Sequence, residues 1–171
     1  TFYPLSQATA NPYSFEAVIK NSGSATQNMT LNTKVTDVTQ NTVFTSLSNP
    51  ITLVSSQQDT FVANQTFTPA SVGLYNIEMW GVGDSANTDT ATKQTVVTDY
   101  VYGKDENTYQ GFYVIANATR QNHVTSYFDI YDNVNLTAVE VYISPNSVPG
   151  AKIYGILYEN DPSAGAAPIY L

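Results

Sequence analysis

The sequence predicts an all-β protein made of two tandem antiparallel β-sandwiches. Apolar and polar residues alternate with a period of two along several runs, among them 13–21, 29–38 and 75–80. This is the pattern of strands that bury one face. Clusters of Gly, Pro, Asn and Ser interrupt the runs roughly every eight to twelve residues, a spacing typical of a sandwich. The sequence sustains no helical period, so we expect negligible helix.

Length and charge narrow the classes of protein. The chain has 171 residues, which is long for one small sandwich and suits two modules of roughly 80 to 95 residues. Its net charge is −8 and it has only six Lys and Arg. We therefore expect no nucleic-acid partner and no anionic membrane surface, because both select basic residues. The absence of cysteine excludes disulfides, thiolate metal sites and cysteine nucleophiles.

The composition favours an extracellular or cell-surface location. Charged residues make up 12% of the chain, about half the usual share, so neutral polar groups keep the surface soluble. Many Tyr and β-branched residues beside abundant Thr, Asn and Ser are typical of secreted all-β modules. No signal peptide, transmembrane run or lipidation motif is visible, and we expect no membrane insertion. Four N-glycosylation sequons follow from this composition, at Asn28, Asn64, Asn117 and Asn135.

The first half, residues 1–99, is predicted to form one sandwich. Pro4 limits the opening segment to a sheet edge, because proline has no backbone N–H to donate. Phe15, Ala17 and Ile19 share one face of the run 13–21. Further strands are predicted at 29–38, 42–47, 51–54, 58–67, 75–80 and 91–98.

The stretch from Phe61 to Trp80 organises the chain. Pro69 and Gly73 mark a turn within it, and apolar residues then alternate with polar ones. A strand that begins with Gly-Leu-Tyr predicts a tyrosine corner, in which the ring packs at the sandwich edge and the hydroxyl bonds to upstream backbone. Pro69, Gly73 and Tyr75 are therefore predicted to have structural roles, and Trp80 to point away from Tyr75.

The second half, residues 100–171, begins where the alternation stops and charge concentrates. Strand-like runs follow at 112–118, 124–131, 136–143 and 151–158, with a short stub at 169–171. These are too few to close two sheets, so we expect an incomplete sandwich that a further segment or another chain completes. The alternative is a small sheet in which 169–171 pairs internally.

Both halves carry a resemblance to known modules. The segments FEAVIKNSGSATQNMTLNTKV and FTPASVGLYNIEMW, with the closing TVVTD, resemble CARDB-like and related immunoglobulin-like adhesion modules of bacterial surface proteins. The second half, from VYGKDENTYQGFYV through SYFDIYDNVNLTAVEVYI to AKIYGILYENDP, looks like the jelly-roll-type module that often follows in large secreted proteins of Bacteroidota. The resemblance implies an immunoglobulin-like and then a jelly-roll-like sandwich, and export by the type IX secretion system.

Two acidic groups are candidates for a calcium site. Asp84, Asn87 and Asp89 follow Trp80 in a polar loop and carry oxygen ligands of the kind that Ca²⁺ binds. Their spacing fits no EF-hand, and Asp and Asn in such a loop commonly form Asx turns in solvent. The second group brackets the joint between the halves and consists of Asp99, Asp105 and Glu106. We expect no cofactor, with calcium as the alternative.

The sequence does not predict an enzyme. His123 is the only histidine, and Ser126 would face the opposite way on a shared strand. No G-x-S-x-G motif is present. Asp129 and Glu140 could form a carboxylate pair on neighbouring strands, but glycosidases usually place such pairs in a deep cleft.

Aromatic side chains offer candidate binding residues. Trp80, Tyr109 and Tyr113 could stack on a sugar or form a protein interface, although aromatic residues on strands more often line the core. The sequence thus predicts a non-catalytic extracellular adhesion, spacer or interaction segment of a larger secreted or surface protein. Its expected partners are other domains of the same polypeptide, other surface proteins or glycans. The alternative is a carbohydrate-binding accessory module of a secreted enzyme.

Overall fold

The protein is an all-β structure, as predicted. The computed structural model describes residues 2–85, 87–104, 125–147, 149–150, 152–158 and 168–169. The chain divides into two compact units, Thr1–Glu106 and Asn107–Leu171. The described part of the first unit contains these elements: β1 (Phe2–Pro4), α1 (Leu5–Ala10), β2 (Glu16–Lys20), β3 (Gln27–Thr36), β4 (Thr42–Leu47), β5 (Ile51–Leu53), β6 (Gln58–Val62), β7 (Gly73–Val82) and β8 (Ala91–Thr98).

The first unit has two β layers. The main sheet has the strand order β1-β8-β7-β3-β4, and β5 pairs with the start of β3. A separate antiparallel ladder joins β2 to β6, with Ala17 opposite Phe61. Apolar side chains of the β2–β6 ladder pack between the layers against those of the main sheet, which gives a sandwich-like arrangement.

The predicted inward faces are confirmed. Phe15, which precedes β2, and Ile19 within it are buried. On β3 every second residue from Met29 to Val35 is buried as well, namely Met29, Leu31, Thr33 and Val35. Because successive strand residues point to opposite sides, the period-two pattern by itself identifies the buried face.

One pairing departs from the predicted antiparallel sheets. Strand β1 runs parallel to β8, with Phe2 opposite Val96 and Pro4 opposite Thr98. Pro4 lies on the outermost strand of the sheet, as its missing N–H requires. The prediction of wholly antiparallel sheets is therefore wrong at this edge. Parallel pairing here depends on a contact between residues far apart in sequence, which local alternation does not encode.

Helix α1 was not predicted. Its six residues are too few to produce a recognisable helical period. Burial of its side chains, and not a pattern in the sequence, stabilises the helix. Gln7 and Ala8 are fully buried, and Leu5 packs against the main core cluster. The helix therefore helps to close the core next to β1.

The first unit extends beyond the predicted boundary at residue 99. The Phe2 N–H donates to the Gly103 carbonyl over 2.7 Å, and the Gly103 N–H donates to the Phe2 carbonyl over 3.1 Å. The rings of Tyr3 and Tyr102 also meet edge to face, with centroids 5.6 Å apart. These contacts attach 100–104 to the first unit.

The second unit has little strand in its described part. Strands β9 (Leu157–Tyr158) and β10 (Pro168–Ile169) pair antiparallel, so Ile169 pairs internally, as in the alternative stated above. The predicted strands 124–131 and 136–143 are wrong over the residues described there, 125–131 and 136–143, which form no strand. Apolar residues in these runs, such as Ile130 and Val139, are exposed. An alternating sequence forms a strand only where a neighbouring strand pairs with it. The run 112–118 lies outside the described residues.

No helix within the described residues is long and apolar enough to cross a membrane.

Candidate binding surface

The outer face of the main sheet carries the chain's only tryptophan. Strand β7 turns Tyr75 and Ile77 into the core, and the alternation of the strand places Trp80 on the opposite face, as predicted. Trp80 pairs with Asn32 of β3, and Asn32 pairs with Leu47 of β4. Three neighbouring strands thus place an indole, a carboxamide and an exposed leucine side chain in one row.

A second row lies next to the first along the same strands. Glu78 pairs with Lys34, and Lys34 pairs with Thr45. The Lys34 Nζ lies 3.4 Å from the Glu78 Oε2. This ion pair balances the charges of the face next to Trp80.

A depression opens beside Trp80. Its volume is about 540 Å³. It is lined by residues of β3, β4, β7 and the segment after β6, namely Asn32, Thr33, Lys34, Thr45, Ser46, Leu47, Asn64, Gln65 and Trp80. Ligand sites in proteins commonly have volumes of roughly 300 to 1,000 Å³. The depression is therefore large enough for a small organic ligand.

The segment after β6 forms one rim of the depression. The Asn64 N–H donates to the Leu47 carbonyl over 2.8 Å, and the Gln65 N–H donates to the Ser46 Oγ over 3.1 Å. Backbone bonds thus fix this segment against β4, while the side chains of Asn64 and Gln65 are exposed.

Tyr75 forms the corner that the sequence predicted. Its side chain is 4% exposed, and its hydroxyl donates to the Ser71 carbonyl over 2.8 Å. The ring meets Phe67 with centroids 5.3 Å apart. Gly73 has a φ of 149°, a backbone conformation that favours glycine. Pro69 is buried in the same turn, so these three residues are structural.

We expect Tyr75→Phe to lower the free energy of unfolding by about 1 kcal/mol, the usual scale of one net hydrogen bond. The measurement is urea unfolding of the full chain. Tyr100→Phe is the matched control, because Tyr100 is 88% exposed and surface changes usually stay within about 0.5 kcal/mol. Equal midpoints for the two variants would contradict the role of the Tyr75 hydroxyl.

The candidate calcium loop is tied to β3. The Asp84 Oδ2 accepts the Asn28 N–H over 2.8 Å, and the Ser85 N–H donates to the Gln27 Oε1 over 3.0 Å. Asn87 bridges to Val82. Within the part of the chain that the structure describes, no three His, Cys, Asp or Glu side chains are grouped to hold a metal ion. The Asp84 carboxylate therefore bonds to the backbone of β3.

Asp37 stabilises the turn between β3 and β4. Its Oδ1 accepts the Thr39 hydroxyl over 2.7 Å and the Asn41 N–H over 2.9 Å. The Thr39 hydroxyl is the main cause that holds the Asp37 pKa below its usual value. Because the pKa of Asp37 is lower in the folded chain than in the unfolded chain, its hydrogen bonds stabilise the turn fully at a pH above its pKa in the unfolded chain. This stabilisation is lost as the pH falls through the pKa of Asp37 in the folded chain. Elsewhere, burial raises the pKa of Tyr13.

The remaining predicted site residues are exposed, lie outside the described residues or have lost their predicted strands. Asp99 is exposed, while Asp105, Glu106, Tyr109, Tyr113 and His123 lie outside the described residues. Asp129 and Glu140 were predicted on neighbouring strands, but their segments form no strand. The carboxylate pair thus loses the scaffold on which it was based.

The neighbours of Trp80 were not recognised as a site. The sequence marks Asn64 only as a sequon and gives no sign that Asn32, Leu47 or Gln65 lie at a site. The register of β7, β3 and β4 brings them close to Trp80, and the sequence does not predict that register.

Two comparisons with known proteins gave no match from which a role could be transferred. The chain matches no protein-family model, and no curated protein is significantly similar to it.

Proposed function

We propose that the chain is a non-catalytic extracellular adhesion, spacer or interaction segment of a larger secreted or cell-surface protein, with an immunoglobulin-like first unit. The order β8-β7-β3-β4 and the separate β2–β6 ladder correspond to the G-F-C-C′ sheet and the B–E pair of such domains. This correspondence of strand order supports the immunoglobulin-like assignment over a jelly roll for the first unit.

The position of Tyr75 supports the same assignment. Immunoglobulin-like domains place the corner tyrosine near the start of strand F, two residues before a cysteine that bonds to strand B. Here Ile77 takes that cysteine position, and it belongs to the same buried cluster as Phe15 beside β2. Apolar packing around Ile77 and Phe15 thus joins the two sheets at the position where antibody domains have a disulfide.

The observation that carries a spacer role is the parallel pairing of β1 with β8. The first and last strands of the unit lie side by side and run in the same direction. Tension applied through the flanking chain therefore pulls the two strands past each other once the Phe2–Gly103 bridge has opened. Such tension acts along the strands and shears their pairing instead of peeling it open from one end, and a segment under load benefits from that arrangement.

Force spectroscopy of the full chain, pulled from its two ends between marker domains, tests this role. Phe2 bonds to Gly103, so by strand alternation Tyr3 bonds to β8. We expect Tyr3→Pro, which removes that donor, to abolish most of the unfolding force of the first unit. Forced unfolding is governed by the unfolding rate along the pulled coordinate.

Val18→Pro is the control for this experiment, because it interrupts the β2–β6 ladder away from the pulled strands. It should retain more force than Tyr3→Pro when both variants are compared at matched equilibrium stability. Equal forces for the two variants would show that the β1–β8 pair does not resist the applied force.

Composition supports the proposed location. Few charges and many neutral polar residues are typical of secreted all-β modules. Under this proposal the partners are neighbouring domains, other surface proteins or glycans, the second unit is a jelly-roll-type module, and export follows the type IX route of the modules that the chain resembles.

A further inference from the structure

We propose that the depression beside Trp80 on the outer face of the main sheet binds a neutral saccharide. This site is separate from the β1–β8 strand pair and lies on the first unit. Of the three aromatic residues that the sequence offers for stacking on a sugar, it contains Trp80. The inference rests on the aromatic, polar and charge properties of the lining.

The aromatic component is the Trp80 indole. It is partly buried on a sheet face where neighbouring outward side chains are Asn32 and, beyond it, Leu47. An indole presents a broad apolar face with a polar N–H at its edge. The C–H face of a sugar ring is flat and apolar, and its edge carries hydroxyls, so the two shapes and polarities match.

The polar component is a set of carboxamides. Asn32, Asn64 and Gln65 line the depression, and each carboxamide offers both donors and an acceptor. Sugar hydroxyls likewise donate and accept. The Asn64 Nδ2 donates to the Asn49 Oδ1 over 3.2 Å, which orients the group and leaves its own oxygen to accept. The Gln65 carboxamide has no hydrogen-bond partner among the described residues.

The charge balance favours a neutral ligand. Lys34 is the only cation in the lining, and Glu78 pairs with it over 3.4 Å. An anionic ligand would have to compete with this carboxylate, and a cationic ligand would have to compete with the ammonium group. A neutral polyhydroxylated ligand needs neither ion to change partner. The volume of about 540 Å³ suits a short oligosaccharide better than an ion.

The chain itself provides a reporter for the test. Because Trp80 is the only tryptophan, the tryptophan fluorescence of the full chain comes from the proposed site alone. The probes are neutral hexasaccharides of β-glucan, xylan, mannan and chitin, together with neutral N-glycans released from a glycoprotein. These two groups of probes distinguish a polysaccharide source from a glycoprotein source. Polygalacturonate and heparin fragments serve as acidic probes.

We expect at least one neutral probe to change the fluorescence of Trp80 saturably. Asn64→Ala and Gln65→Ala should each weaken binding about tenfold, since each removes one hydrogen-bonding group at the rim. Both side chains are exposed, so these variants should keep the wild-type melting temperature. Trp80→Ala should abolish binding measured by calorimetry, and Tyr100→Ala, which removes an exposed aromatic elsewhere on the same unit, should leave binding unchanged.

Three outcomes would overturn the proposal. They are the absence of binding to every neutral probe, neutral binding that survives Trp80→Ala, and tighter binding of an acidic probe that is lost in Lys34→Ala. None of these results bears on the force measurement, so the spacer role and the saccharide site stand or fall separately.

Discussion

Phe61→Ala is expected to lower the free energy of unfolding by about 3 to 5 kcal/mol, the range observed when a buried phenylalanine is truncated. Phe61 is 0% exposed and packs in one cluster with Ile19, Leu31 and Leu53. The substitution removes apolar contacts between the β2–β6 ladder and β3, and the cavity that it leaves adds to the loss because the surrounding strands relax only in part. Guanidinium unfolding of the full chain measures the effect.

Val62→Ala is the matched control for Phe61→Ala. Val62 follows Phe61 on the same strand but is 53% exposed, because neighbouring strand residues point to opposite faces. We expect a loss below about 1 kcal/mol for this variant. Similar losses for the two variants, at an unchanged denaturant slope, would show that β6 does not bury the face assigned to it.

Asn21→Ala is expected to lower the free energy of unfolding by about 2 kcal/mol, because it leaves the buried Leu53 carbonyl without its donor. Asn21 is 6% exposed. Its Nδ2 donates to the Leu53 carbonyl over 2.9 Å and to the Ala25 carbonyl over 2.8 Å, while its Oδ1 accepts the Gly23 N–H over 3.0 Å. One side chain thus satisfies three backbone groups in the connection from β2 to β3.

Asn21→Asp tests the two hydrogen bonds that the Asn21 Nδ2 donates, because it removes both donors and keeps the size of the side chain. The ionised carboxylate keeps the shape of asparagine but places negative charge against two carbonyl oxygens, which raises the pKa of the introduced group. A raised folded pKa means that the variant loses stability as the pH rises through its titration. Thermal unfolding between acidic and neutral pH measures this trend. Asn11→Ala, at an exposed site, is the control, and an equal loss there would contradict the structural role of Asn21.

The candidate binding surface was only partly predictable. Trp80 was recognised as a candidate because the strand pattern turns it away from Tyr75. Asn64 and Gln65, however, lie on a segment that reaches the same depression through bonds to Leu47 and Ser46. This contact depends on which strands become neighbours in the fold, and the local sequence does not encode that choice.

The sequence by itself determined the all-β class, the inward faces of the strands and the corner at Tyr75. These features follow from local geometry, since alternation has a period of two in any strand and a tyrosine reaches backbone only a few residues upstream. Tertiary structure decided the parallel pairing of β1 with β8, the burial of helix α1 and the row of Trp80, Asn32 and Leu47. Each of these depends on partner and register, and a slip of one residue would turn every side chain of a strand to the other face while leaving the sequence pattern unchanged.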